Sequence, residues 1–363
     1  MSKTFFITGV QRSGTTLLSV LLGNHPEIEI DGFATAFRLI TCFKNYEKVL
    51  PLNFLEDDEA VLKWKIEKDY KGRLADFLDY ENLEKYDSVK DLVQASIAKR
   101  LEPKNKSVWG DKSPNLQHYT ADILELIPEA KFIHIIRDGR ATAYSHAKRA
   151  HKNILLAAQE WVKGNTAALV NQKMLGSKQH LIVKYEDLLE FPEETARKVC
   201  AFLDLEFHAP MLDMSNRDDK KSYVKSTFDT SKINAFKTQI PAKTLRKVEE
   251  IQAPLLQKMG YSVINPETIK MGRPLGVFKW IYLHQIDNIK MLFRSKRMAM
   301  IDRKNVEIPI SFRNRWAKFV MNLGHDFLSK EVYFKMFDKV NNKHQKFEES
   351  GVRGQESGKN LVQ

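Results

Sequence analysis

Three short apolar, β-rich runs stand out along the chain: Thr4–Thr8 (TFFIT), Lys131–Ile136 (KFIHII) and His180–Lys184 (HLIVK). Each is followed by a charged or glycine-bearing turn and then by apolar positions at helical spacing. That rhythm predicts βα units and a mostly parallel sheet. Ser107–Trp109 (SVW) reads as a weaker fourth strand. Helices are expected over Thr15–Gly23, stopped by Asn24-His25-Pro26, and over Asn115–Leu126, stopped before Pro128. Another should follow Gly139, and a further one should run over Pro192–Leu203, opened by a proline and two glutamates. The fold class expected is α/β, a P-loop-like three-layer arrangement around a central, mostly parallel sheet.

Asn45 to Arg100 carries spaced apolar residues among many Lys, Glu and Asp and shows no strand-like alternation. It reads as a mostly helical insertion, about residues 45–100, that either covers an active site or only packs. The pattern changes again around Gly272-Arg273-Pro274. Beyond it Phe312, Trp316, Phe319, Val320, Leu323 and Phe327 recur at helical spacing. Residues 1–270 are therefore expected to form the main domain and 271–340 a basic helical C-terminal extension. Residues 341–363, poor in apolar side chains, read as a disordered tail.

Composition changes this picture in two places. The formal charge of +12 is concentrated at the end of the chain. Residues 271–363 hold 18 Lys+Arg against 9 Asp+Glu, a net of +9, which leaves +3 for residues 1–270. The basicity is thus a property of the extension, whose interleaved aromatics either rest on anionic lipid or an acidic glycan, or pack while the charges stay solvated. The two cysteines, Cys42 and Cys200, lack metal-ligand spacing and read as buried thiols. No signal peptide or membrane span is read in the chain, so the expectation is a cytoplasmic protein with peripheral membrane contact as an option for 271–340. No motif points to nucleic acid, and oligomeric state is not legible.

The chemistry begins at Gly9-Val10-Gln11-Arg12-Ser13-Gly14-Thr15-Thr16, which has the spacing of the phosphate-cradling loop G-x-x-x-x-G-K-[ST] with Thr15 in place of the lysine. Strand, turn and helix in that order aim backbone N–H groups and the positive helix end at one point, which favours an anion. Ser13, Thr15 and Thr16 add hydroxyls and Arg12 a guanidinium fork. A nucleoside-triphosphate enzyme needs the lysine and a magnesium-binding acidic strand end. Neither Asp138 nor Asp187 has the plain apolar-run-then-Asp form. A sulfuryl group in transit carries less negative charge than a phosphoryl group, so fixed cations suffice and no metal is expected. In IIRDGRATAYS, Arg137 closes a strand and Ser145 follows eight residues later within a helix. The run brings a second guanidinium and hydroxyl to one junction, with Arg140 in reserve, unless Arg137 merely pairs with Asp138.

Read together, R-S-G-T-T-L-L, W-G-D-K-S-P, I-R-D-G-R-A-T-A-Y-S and V-K-Y-E-D-L resemble the sulfotransferase superfamily in order and separation. The likeness is nearest to the branch of tyrosylprotein sulfotransferases and their bacterial relatives. It covers about residues 4–262 and leaves 270–363 outside. The resemblance implies 3′-phosphoadenosine 5′-phosphosulfate (PAPS) as donor, with 3′-phosphoadenosine 5′-phosphate (PAP) as product. It implies that Arg12, Ser13, Gly14, Thr15 and Thr16 hold the 5′-phosphosulfate, and Arg137 and Ser145 the 3′-phosphate. Tyr185 would lie near the adenine, and Ser226 and Lys232 would close over the nucleotide. Lys112, in the K-x-P turn, would steady the leaving phosphate together with the loop donors, Arg12 among them.

The general base is where the likeness departs. The family's glutamate after H-P falls on Gly32 or Phe33, so Asp31 is the nearest carboxylate, with Glu29, His118 and His146 as alternatives. His25 reads as helix-terminating. The expected activity is sulfuryl transfer to a hydroxyl of a carbohydrate, lipid-linked or small-molecule acceptor. The alternatives are a P-loop kinase and a nucleotide-binding protein without turnover.

Overall fold

The computed structural model describes residues 3–31, 35–43, 73–214, 228–270, 275–276 and 278–287, and the statements below concern these. The chain divides into two compact units, Met1–Gly276 and Val277–Gln363. Of the second, residues 278–287 are described, and they are helical. Ser226, residues 45–72 of the expected insertion, and nearly all of the C-terminal extension and tail lie outside the described residues.

Five parallel strands form the sheet of the first unit in the order β2-β3-β1-β4-β5. They are β1 (Lys3–Thr8), β2 (Ile28–Asp31), β3 (Val108–Lys112), β4 (Lys131–Ile136) and β5 (His180–Lys184). β1 is central because its Phe5, Phe6 and Ile7 are apolar on both faces and fully buried. Phe6 turns one way, edge-on to Trp109 and stacked on Phe132. Phe5 and Ile7 turn the other way, into a cluster with Leu18, Leu21 and Leu22 of α1 (Thr15–Gly23). That alternation requires a helical layer on each side.

The strands beginning at Lys131 and His180 run as expected, and so do the helices Thr15–Gly23 and Gly139–Ala150. Three features differ. β2 is not among the expected strands: four residues of I-E-I-D on a sheet edge are too few for a periodic signal. The weak strand at Ser107–Trp109 extends to Lys112, whose backbone lies opposite Ile7 of β1. The helix expected over Asn115–Leu126 breaks into a 3-10 turn, Leu116–His118, and a helix, Thr120–Leu126, because Tyr119 between them is non-helical.

The remaining helices follow in chain order: α2 (Thr35–Phe43), α3 (Arg73–Phe77), α4 (Val89–Leu101), α5 (Thr120–Leu126), α6 (Gly139–Ala150), α7 (Ile154–Gln179), α8 (Tyr185–Glu190) and α9 (Pro192–Phe202). Beyond the turn at Thr230–Lys232 lie α10 (Phe236–Gln239) and α11 (Ala242–Lys258). The described part of the insertion packs: Leu74, Phe77, Leu92, Val93 and Ile97 join Phe6 and Trp109 in one core cluster. Cys200 is buried as a free thiol, and burial pushes its pKa up to about 11, so it packs as an apolar group.

A buried histidine pair sits under β4 and β5. His134 and His180 are 0% and 1% exposed, with rings stacked 6.3 Å apart. Asn165 Nδ2 donates to the Trp161 carbonyl, which leaves Oδ1 to accept from His134 Nε2–H at 2.9 Å. Burial holds His134 down to about 4 and His180 to about 3, so both are neutral in the fold. The unfolded chain protonates them near the ordinary histidine value of 6.5. The pair's contribution to stability is therefore full above pH 6.5 and declines as pH falls from there toward 4. Between pH 7.5 and 5 the loss is expected to be about 2 kcal/mol for each histidine. Urea midpoints at the two pH values check this. His180→Leu should show a visibly smaller drop, and equal drops would exclude the pair as the cause.

Candidate active site

β1 ends at Thr8, and the sheet connections diverge on its two sides, toward β3 and toward β4. In parallel sheets a crevice opens at the carboxyl ends where the order reverses. A cavity of about 500 Å³ lies there. Gln11, Arg12, Gly14, Thr15 and Thr16 line it from the loop after β1, Arg137 from the end of β4, and Ser145, Lys148 and Arg149 from α6. Tyr185 opens α8 and forms a wall; Asp229, Lys232, Phe236 and Gln239 come from the segment before α11.

The loop is shaped for close backbone approach. Gly14 caps α1 with φ 106, and no side chain caps the helix. A Cβ at Gly14 would fall 2.3 Å from Tyr185 Cδ2, so the ring lies directly on the glycine. Arg12 holds φ 75, an unusual value for a residue with a side chain. Such conformations persist where the surroundings over-determine them. Here the Val10 carbonyl accepts from the Ser13 amide at 3.1 Å, closing the turn. Arg12 Nε reaches Ser145 Oγ at 3.4 Å, which joins the loop to the second corner.

That second corner is built around Arg137. Its guanidinium lies 4.5 Å above the Tyr185 ring, and Nη2 donates to the Lys232 carbonyl at 3.2 Å. Its buried Nε has no hydrogen-bond partner among the described residues, and neither has the buried Ser13 Oγ. Arg137 lines the cavity, and an unsatisfied buried donor on a cavity-lining residue suits an acceptor-rich ligand. The pairing of Arg137 with Asp138 does not occur. Asp138 instead binds Arg140, whose Nη1 also donates to Glu249. Arg140 is therefore not a reserve ligand. It is 1% exposed and ties α6 to α11.

Of the anticipated ligands, Arg12, Gly14, Thr15, Thr16, Arg137, Ser145, Tyr185 and Lys232 line one cavity. Ser13 lies buried just beneath. Lys148, Arg149, Tyr144, Phe236, Gln239 and Asp229 were missed. Lys148 and Arg149 follow Ser145 by three and four residues on one helix, the spacing of a shared face, so this signal was available. Tyr144 adjoins Ser145 on the same helix, whereas Asp229, Phe236 and Gln239 come from a distant segment.

Lys112 is the last residue of β3, and Pro114, two residues on, lines the cavity. The turn is held against the loop: Ser113 N donates to the Ile7 carbonyl and Asn115 N to the Gly9 carbonyl at 2.8 Å. Thr8 Oγ1 donates to Gln117 Oε1 at 2.7 Å. Asp31 closes β2 opposite Asp111, and its Oδ2 accepts from Thr35 Oγ1 at 2.7 Å. Asp31 is 9% exposed and is not among the residues lining the cavity. Glu29 is paired with Lys104, and His146 Nδ1 is 3.8 Å from Glu160. His118 is exposed on its 3-10 turn. His25 Nδ1 accepts from Glu27 N, so its Nε2–H donates to the Glu206 carbonyl, and the ring is structural.

Among the described residues five cations, Arg12, Arg137, Lys148, Arg149 and Lys232, line the cavity against one carboxylate, Asp229. The excess suits a ligand with several negative charges, anionic at two separated points.

A model of the Sulfotransferase family matches residues 4–209. The protein-tyrosine sulfotransferase of Drosophila melanogaster is 26% identical over 275 residues, 70% of this chain and 51% of that protein. Protein-tyrosine sulfotransferase A of Caenorhabditis elegans is 26% identical over 297 residues, covering 75% of this chain and 70% of that one. Among solved structures, the sulfotransferase domain from the Synechococcus PCC 7002 olefin synthase matches with a TM-score of 0.50 and 22% identity, covering 72% of this chain and 95% of that chain. It agrees in fold.

Proposed function

The chain belongs to the sulfotransferase family, and from that premise we propose that it transfers the sulfuryl group of PAPS to the hydroxyl of a protein tyrosine. The carrying observation is that two anion-binding corners share one cavity, bridged by Arg12 and Ser145. PAPS carries negative charge at its 5′-phosphosulfate and again at its 3′-phosphate, and the two corners suit those two ends. The donor supplies an activated sulfuryl group on a phosphate leaving group.

The chain's own residues do the rest. The N-terminus of α1, the Thr15 and Thr16 hydroxyls and Arg12 grip the 5′ end. Arg137, Ser145 and Arg149 grip the 3′-phosphate. Tyr185 fixes the Arg137 plane and walls the nucleotide. Lys112 steadies the charge that grows on the leaving phosphate, and Asp31 takes the acceptor proton. Holding both reactants in one crevice supplies much of the acceleration. The tyrosine acceptor is supported by the two relatives named as protein-tyrosine sulfotransferases. The carbohydrate, lipid-linked or small-molecule acceptor expected from sequence has no counterpart in either.

Thermal shift separates this reading from an ATP-using one. PAP at a hundredfold over its Kd should stabilise by about 2.7 kcal/mol. That is a rise of several degrees for a domain of this size, insensitive to EDTA. Equal stabilisation by ATP–Mg would sink the reading. For the acceptor, incubation with PAPS and a panel of tyrosine peptides, glycans and phenols, read by mass spectrometry, should sulfate the peptides. Product on glycans alone would remove the tyrosine assignment.

A further inference from the structure

We propose that Asp111 is a positioning residue for the transfer, its carboxylate tying the Lys112 turn, the N-terminus of α2 and the Asp31 strand end into one unit. The inference rests on the transferase reading above, in which Lys112 and Asp31 serve the leaving group and the acceptor.

Asp111 is wholly buried, and among the described residues every hydrogen bond its carboxylate accepts comes from one of those elements. Oδ1 accepts from Thr35 N at 3.2 Å and Oδ2 from Ala36 N at 3.1 Å, so the first amides of α2 are capped from another strand. Oδ2 also accepts from Ser113 Oγ. Lys112 therefore stands between two residues bonded to each other, with Ser113 N further anchored to the Ile7 carbonyl. On the far side Asp31 is the register partner of Asp111, and Thr35 bonds both carboxylates, through its amide to Asp111 and its hydroxyl to Asp31. One threonine and one carboxylate thus set the relation between the two groups that must meet the reacting atoms.

Stability alone argues against this arrangement. A buried carboxylate beside a second carboxylate is unfavourable, and burial, with Asp31 adding to it, pushes the Asp111 pKa up to about 7. A residue that costs the fold something and organises two flanking functional groups is one expected at a working site. The donor cavity lies mainly on the other side of β1, at β4 and α6, and Asp111 touches none of it.

The test uses the full chain, PAPS and a tyrosine peptide, with Asp111→Asn and Ser113→Ala. Asparagine puts an NH₂ against one of the two α2 amides. Since misplacement by about 1 Å costs on the order of a hundredfold, D111N should lower kcat by roughly 30- to 100-fold. The donor KM should stay within about twofold, and amide exchange at Thr35 and Ala36 should rise at least tenfold while β4 is unchanged. S113A keeps both α2 contacts and should lower kcat by only a few fold, again at constant donor KM. A folded D111N with wild-type kcat overturns the proposal, and so does a donor KM that rises in step with the loss of kcat. Should D111N not fold, an unaltered kcat in S113A overturns it. A wild-type chain that binds PAP but sulfates nothing removes the transferase reading and this inference together, whereas an active wild type with an indifferent D111N removes this inference alone.

Discussion

Lys112→Ala should lower kcat by roughly two to three orders of magnitude while leaving donor affinity nearly unchanged. Lys112 ends β3, and the turn after it is pinned to the strand and loop proposed to grip the donor. As the sulfuryl group departs, negative charge grows on the 5′-phosphate, and a fixed ammonium is worth most where charge develops in a water-poor site. On the proposed reading the ground-state donor is held by the five cations that line the cavity, and Lys112 is not among the lining residues, so the lysine's contribution falls on the transition state. Single-turnover rates at saturating donor measure it, with PAP titration as the control. Arginine should rescue only in part, because a planar fork replaces a point charge. A kcat within fivefold of wild type would exclude Lys112 from the chemistry.

Arg137→Ala should weaken PAP binding by roughly 30- to 300-fold, in line with losing one partner of a desolvated charge pair. The guanidinium supplies an otherwise unsatisfied buried Nε and is held over the Tyr185 ring and against the Lys232 carbonyl, so it is pre-organised before any phosphate arrives. Its backbone carbonyl accepts from Trp161 Nε1 at 2.9 Å, and alanine keeps that contact, so the fold should survive. Lysine should restore little, since it lacks both the fork and the stacking plane. Calorimetric titration of PAP decides the matter. A Kd within threefold of wild type would mean that the second corner does not hold a phosphate.

The base assignment shows how a local reading runs out. Counting along the chain brought Asp31 forward because it was the nearest carboxylate to an expected glutamate. The fold shows it ending an edge strand, opposite Asp111 and bonded to Thr35. Within W-G-D-K-S-P Asp111 reads only as a neighbour of Lys112, because its significance lies in amides 75 and 76 residues away along the chain. Arg140 was misread for the same reason. Glu249, its second partner, is 109 residues distant.

Lys148 and Arg149 were within reach of sequence reasoning through their spacing from Ser145, whereas Phe236 and Gln239 were not. β2 escaped because four residues carry less than one full pattern of alternation.

The amino-acid order alone determined the strand–turn–helix at residues 3–23, the boundaries of β4 and β5, and the residue types at both anion corners. These depend on interactions within a few residues, where side-chain periodicity and glycine placement act directly. Tertiary structure decided which of those charges face one cavity, which are consumed in buried pairs, and which strand ends stand side by side. Such outcomes depend on how crossovers order the sheet, and chain crossings are set by the packing of two apolar faces at once, which no short window of residues contains.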